Sequence, residues 1–287
     1  MNQVLKDQRI QELISLYNKG DTKECLLRAK KFAKIYPEEP FILNLIGVVN
    51  ASIGSYEEAI KSYKRALKIN PKYFEVCNNL GVALTDSKKP DEAVGYLKKA
   101  LIVNPNYPEA YNNLGNSFKE LDDLDQAIES YEKAIALNSS YIDPYTNLAI
   151  VFASKNENEK AEYYFKKALE ISPQEPDTLR YFSDFLVNRQ RFTEAKVLLE
   201  KCLILTPKNS DVLNLLGQVY QRENFDKALQ FYKNALDLTD DKESIQNNIG
   251  ALYFEFNQVK SAIDYFNNIS NSDKNIKTLL NLAYAYI

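Results

Sequence analysis

The side chains whose spacing suggests chemistry in this chain are carboxamides. In EAYNNLGNSF, residues 109–118, Tyr111, Leu114, Gly115 and Phe118 form one stripe of a helix, and Asn112, Asn113 and Asn116 crowd the other side. Asparagine is a mediocre helix former because its amide competes for backbone hydrogen bonds. A carboxamide, however, presents donors and an acceptor in one plane. It can pair with both the N–H and the C=O of an extended peptide, whatever that peptide's side chains. This is chemistry of recognition. Bond-making chemistry has few candidates. The sequence has no histidine, which removes Ser–His and Cys–His pairs, histidine general bases and histidine metal ligands. Neither G-x-x-x-x-G-K-[ST] nor G-x-G-x-x-G occurs. The carboxylates mostly sit beside lysines on predicted helix faces, as solvated charge does.

Composition sets the frame for these side chains. The 287 residues are 45% hydrophobic and 26% charged, an ordinary folded composition. The net charge of −3 gives no general attraction for nucleic acid or an anionic membrane. No apolar run approaches the roughly 18 residues of a membrane span. The opening MNQVLKDQRIQELISLYNKG is amphipathic with charges throughout, unlike a signal peptide, so the expected location is cytoplasmic. Three cysteines without C-x-x-C suit that compartment. Cys25, Cys77 and Cys202 all fall at predicted packing positions, as structural filler. No cofactor and no metal site is expected.

The elements that position the asparagines follow a period of 34. Pro37, Pro71, Pro105, Pro173 and Pro207 are spaced by 34 or twice 34, with Ser139 in the vacant place. Ala59, Ala93, Ala127, Ala161 and Ala195 keep the period, as do Ala66, Ala100, Ala134 and Ala168, followed by Cys202. So do Gly47, Gly81 and Gly115, continued by Ala149 and Ser183. Each repeat shows two helical stripes and a short turn, for example about 108–121 and 124–137. Gly115 and Ala127 are expected to let the two backbones approach, and Tyr111, Leu114, Phe118, Ile128, Tyr131 and Ala134 to fill the seam. Proline closes the second helix, which it cannot continue. Pro40, Pro108 and Pro176 open first helices, where the missing N–H does no harm. Gly20, Gly54, Asn156 and Asn257 occupy the inter-helix turn and tolerate left-handed backbone.

This pattern resembles the tetratricopeptide repeat. Tyr111, Leu114-Gly115, Phe118, Ala127, Tyr131 and Ala134 meet its motif. The pentatricopeptide family differs in period and in these columns. The resemblance implies an all-α solenoid, a right-handed superhelix of antiparallel helix pairs. We divide a single 1–287 domain into repeats 6–39, 40–73, 74–107, 108–141, 142–175, 176–209, 210–242 and 243–275, with a half repeat 276–287. The first is a modified cap, with Leu13 in the glycine place and Cys25 and Phe32 in alanine places. The seventh is one residue short, so its turn near Glu223–Phe225 must tighten, with a change of local twist. The half repeat has no second helix to cover it, which suggests the N-terminal part of a longer protein.

By the same resemblance, first helices line the concave surface. Its fifth and sixth places hold Asn44, Asn78, Asn79, Asn112, Asn113, Asn147, Asn214, Asn247, Asn248 and Asn281, with Asn116 at a ninth place. The tetratricopeptide arms of the protein N-acetylglucosamine transferases carry such a ladder at the sixth place. Asn79, Asn113, Asn147, Asn248 and Asn281 match it, whereas Leu45, Tyr181 and Leu215 do not. The carboxylate clamp of chaperone-binding relatives is broken, because Asn112, Asp177 and Tyr181 stand where its cations should be. Second places read Glu75, Glu109, Asp143, Asp177 and Asp211, which favour the helix N-terminal dipole and, if a ligand meets them, a basic one.

The expected function is therefore a non-catalytic protein-interaction module that holds an extended peptide or partner protein along the asparagine row. A substrate-recruiting arm of a glycosyl- or sulfotransferase, with its catalytic domain beyond residue 287, is the alternative. Another is a scaffold self-associating through its C-terminal helix. Nucleic acid and membrane are not expected partners.

Overall fold

The alternation of stripes and turns folds into helix pairs. The computed structural model describes residues 3–240 and 242–268, and over these every element is α-helical. First helices are α1 (Gln3–Asn18), α3 (Pro40–Ser52), α5 (Phe74–Asp86), α7 (Pro108–Glu120), α9 (Ile142–Ser154), α11 (Pro176–Asn188), α13 (Ser210–Tyr220) and α15 (Glu243–Glu255). Second helices are α2 (Thr22–Ile35), α4 (Tyr56–Ile69), α6 (Pro90–Val103), α8 (Leu124–Leu137), α10 (Asn158–Ile171), α12 (Phe192–Leu205), α14 (Phe225–Leu236) and α16 (Val259–Asn268). The chain divides into two compact bodies between Val151 and Phe152. Asn281 and the half repeat 276–287 lie outside the described residues.

Both alanine columns are fully buried, from Ala59, Ala93 and Ala127 to Ala161, Ala195 and Ala228. The glycine column has a more specific reason than backbone approach. A Cβ on Gly115 would lie 2.5 Å from the Tyr131 ring, and one on Gly47 would lie 2.3 Å from Tyr63. Gly81 meets Leu97 in the same way, Gly217 meets Tyr232, and Gly250 meets Phe266. Each glycine on a first helix is thus a socket for one large side chain of the second. Tyr131 is 0% exposed, and Leu114, Phe118 and Ala134 are buried around it, while Tyr111 and Ile128 are half-buried. The first repeat has no socket. Leu13, Cys25 and Phe32 fill its seam instead, with the Cys25 thiol donating to the Leu13 carbonyl at 3.4 Å. All three cysteines are buried and free, and burial raises each thiol pKa.

The turns repeat as faithfully as the helices. Gly20, Gly54, Lys88, Asp122, Asn156, Gln190 and Asn257 all have φ between 59° and 76°. Nothing lies within 4 Å of a Cβ built on Gly20 or Gly54, so the backbone angle is what calls for glycine there. In each turn the next N–H reaches back to the helix, as Asp123 N does to Phe118 O at 2.9 Å and Arg191 N to Leu186 O at 2.9 Å. The seventh repeat lacks the left-handed residue. Gln221 stays right-handed, and Asn224 N closes on Tyr220 O at 2.8 Å, so the turn tightens where the sequence is one residue short. At repeat ends, Asn70, Asn104 and Asn138 accept from the N–H two residues on, which forms the turn even where Ser139 replaces proline.

Two stability effects follow. Gly115→Ala gains about 1 kcal/mol of helix propensity, but forcing a methyl into the Tyr131 ring costs about 1–3 kcal/mol. A net loss in denaturant unfolding is expected, and a gain would refute the socket. Gln190→Gly relieves a left-handed strain of about 1–2 kcal/mol and loses about 0.4–1 kcal/mol to unfolded-chain entropy. It should raise the unfolding midpoint slightly, and more than Asp122→Gly does, because aspartate tolerates this region better.

Candidate interaction face on the first helices

The asparagines of the first helices pair with one another across repeats. Asn79 Nδ2 donates to Asn44 Oδ1 at 3.1 Å, Asn113 Nδ2 to Asn78 Oδ1 at 2.9 Å, and Asn147 Nδ2 to Asn112 Oδ1 at 3.0 Å. In the second body, Asn248 Nδ2 donates to Asn214 Oδ1 at 3.0 Å. The rule is constant: a sixth-place carboxamide donates to the fifth-place oxygen of the preceding repeat. The partners are 35 residues apart in the full-length repeats and 34 apart across the shortened seventh.

Fifth-place Asn78, Asn112 and Asn247 are 6%, 3% and 3% exposed, whereas fifth-place Asn44 and Asn214 and sixth-place Asn79, Asn113, Asn147 and Asn248 are half-buried. A buried carboxamide without partners costs about 1–3 kcal/mol, which the cross-repeat bond avoids. The sixth-place side chain spends one N–H on its neighbour, and a carboxamide has a second N–H and an oxygen besides. Asn79 oxygen also takes a long contact from Asn78 Nδ2 at 3.5 Å. Asn116 acts within its own repeat. Its oxygen accepts from the Tyr131 hydroxyl at 2.8 Å and anchors the ring that fills the Gly115 socket. Gln221 does the same for Tyr232 at 2.8 Å. Thr85 and Ser117 hydroxyls, 2.8 Å apart, add a cross-repeat bond that the asparagine pattern did not announce. The pairing itself had a sequence signal in the Asn-Asn dipeptides 78–79, 112–113 and 247–248.

In the sequence between the two asparagine stretches, charge takes over. Arg180, at a fifth place, lies 3.8 Å from Asp177 and 3.5 Å from Asp211, and its guanidinium stacks 3.9 Å from the Tyr181 ring centroid. Two of the second-place acids thus share one cation. On the neighbouring turn, Arg191 pairs with Glu162 of the preceding repeat and with Glu194 at 2.7 Å, while Lys166 reaches Glu162 at 2.7 Å. Arg191 above all, then Lys166, hold the Glu162 carboxyl down at about 2. Because this folded-state pKa lies below the ordinary carboxylate value, the stabilisation is present above about pH 4.3 and is lost as pH falls towards about 2. Glu162→Gln should lower stability at neutral pH, and its deficit against the parent protein should shrink over that acid window in urea titrations. A deficit independent of pH would contradict this pairing.

Among the described residues, no group of histidine, cysteine, aspartate and glutamate could hold a metal ion. No described helix is long and apolar enough to cross a membrane.

Tetratricopeptide (TPR) repeat family models match residues 47–88, 75–104, 108–141, 153–219 and 212–246. No curated protein sequence matches the chain. Among solved structures, a tetratricopeptide repeat protein from Parabacteroides merdae is similar at 19% identity with a TM-score of 0.69, covering 86% of this chain and 98% of that one. The APC/C hetero-tetramer Cut9–Hcn1 is similar at 18% identity with a TM-score of 0.75, covering 98% of this chain, which spans 56% of the other. MamA is similar at 30% identity with a TM-score of 0.51, over 55% of this chain and 93% of that one. With its recurring socket, its left-handed turn and these matches, the chain belongs to the tetratricopeptide repeat family and is an all-α solenoid of that type.

Proposed function

We infer that this protein-interaction module holds extended polypeptide along the first helices, with sixth-place asparagines gripping the peptide backbone and fifth-place asparagines holding them in position. The observation that carries the reading is the cross-repeat pairing of Asn79, Asn113 and Asn147 with Asn44, Asn78 and Asn112. Each pairing orders a half-buried carboxamide before any ligand arrives. Affinity gained from an already ordered surface is not spent on ordering it. The remaining N–H and oxygen of a carboxamide match the acceptor and donor of an extended backbone, and repeat spacing sets several such groups in a row. In the second body, Arg180 and Tyr181 stand at these places instead of asparagines, and Asp177 and Asp211 beside them favour a basic residue in a ligand that binds there. The family resemblance supports the same reading, and one of the similar solved structures is a hetero-tetramer of Cut9 and Hcn1.

The pairing gives each asparagine a structural role as well, so the test must separate the two. Peptides selected from a random library on the parent protein would be titrated against two variants. The triple variant Asn79→Ala, Asn113→Ala, Asn147→Ala orphans fifth-place oxygens and should lose about 1–3 kcal/mol per buried site at most, together with at least about tenfold in affinity. The pair Asn78→Leu with Asn113→Leu removes both partners of one bond, which can be nearly neutral for stability. Leucine already stands at the sixth place as Leu45 and Leu215. That pair should keep the unfolding midpoint and still weaken the peptides. Undiminished binding by both variants would reject the grip and leave the row a purely structural ladder.

A further inference from the structure

The second helices carry a charge gradient on their outermost stripe. Four places recur on it at i, i+4, i+7 and i+11 of the helix, all on one face. On α2 they are Lys23, Leu27, Lys30 and Lys34. On α4 they are Glu57, Lys61, Lys64 and Lys68. On α6 they are Asp91, Gly95, Lys98 and Ile102, and on α8 Asp125, Glu129, Glu132 and Ala136. The charges of the stripe therefore run from wholly basic at α2, through mixed at α4 and balanced at α6, to wholly acidic at α8. All four helices lie in the first body. Nearly every residue of the stripe is exposed.

Local ion pairs do not account for the gradient. Lys61 pairs with Glu58, Lys64 reaches Glu92 at 3.4 Å, and Glu129 holds Lys133 at 2.7 Å. Lys30, Lys34 and Glu132 have no ion-pair partner among the described residues. Two large apolar side chains also stand out on this charged stripe: Ile102 is 78% exposed and Leu27 is 50% exposed.

We propose that this face docks a second copy of the chain in antiparallel, two-fold symmetric fashion. Antiparallel pairing sets the lysines of α2 against the carboxylates of α8, and the symmetry makes that contact twice. It sets α4 against α6, where Ile102 meets the aliphatic stems of the α4 lysines. Parallel pairing would place lysines opposite lysines at α2 and carboxylates opposite carboxylates at α8. The complementarity is within the chain's own sequence, so the partner it fits is another copy. This contact is separate from the first-helix face and does not depend on peptide binding there.

Sedimentation velocity of the full chain across a concentration series, at low and high ionic strength, tests it. A monomer–dimer equilibrium weakened by salt is expected. Lys30→Glu with Lys34→Glu makes both ends acidic, and Glu129→Lys with Glu132→Lys makes both ends basic. Each variant alone should raise the dimer dissociation constant at least tenfold, with circular dichroism unchanged because these side chains are exposed. An equimolar mixture of the two variants should dimerise as the parent does, and so should one chain carrying all four reversals. A parent that stays monomeric at low salt, open-ended growth in place of a dimer, or failure of the mixture to dimerise would each overturn the proposal.

Discussion

The seat of one large side chain over one glycine sets the geometry of every complete repeat in which that glycine is kept. Tyr131 over Gly115, Tyr63 over Gly47 and Leu97 over Gly81 bring first and second helices so close that a single methyl would not fit. The alanines beside the socket lie within this close seam, and both alanine columns are sealed from solvent. The turn that joins the helices reverses the chain through one left-handed residue, with or without the socket glycine, in every repeat of the described residues except the seventh. Where glycine is absent at that turn, as at Lys88 and Gln190, the packing of the pair holds the backbone in a conformation that the residue itself disfavours.

A helix pair made this way still has a polar surface to hand to the next pair. Stacking buries the fifth place of some first helices, as at Asn78, Asn112 and Asn247, and half-buries it at Asn44, Arg180 and Asn214, and a polar side chain there needs a partner. The asparagine pairs are that solution over most of the first body, and Asn248 with Asn214 repeats it in the second. Arg180 between Asp177 and Asp211 solves the same problem with charge. The row proposed as a peptide-binding surface thus also ties one repeat to the next. The recognition role proposed for it rests on what the half-buried sixth-place groups have left to offer.

The seventh repeat shows how far these constraints bend. Losing one residue removes the left-handed turn and shortens α13, yet Tyr232 still seats over Gly217 and Asn248 still finds Asn214. The deletion is absorbed in the turn because the socket and the cross-repeat bond are both side-chain contacts, fixed by the helices and indifferent to how the chain travels between them.

The sequence by itself determined the period and the helix pairs, because glycine, alanine and proline each have a backbone or volume reason to recur and so align in columns. The buried cysteines of the seams and the tightened turn at 221–224 were legible for the same reason. The partners of the columns were not. That Gly115 answers to the Tyr131 ring, that Asn116 holds that ring's hydroxyl, and that Asn113 reaches back to Asn78 are decisions of tertiary structure. A one-dimensional repeat tells which residues recur, but a carboxamide is equally competent to pair with a neighbour, a peptide or water. Only the stacking of one first helix on the next brings the donor of one repeat to 2.9 Å or 3.0 Å from the acceptor of another.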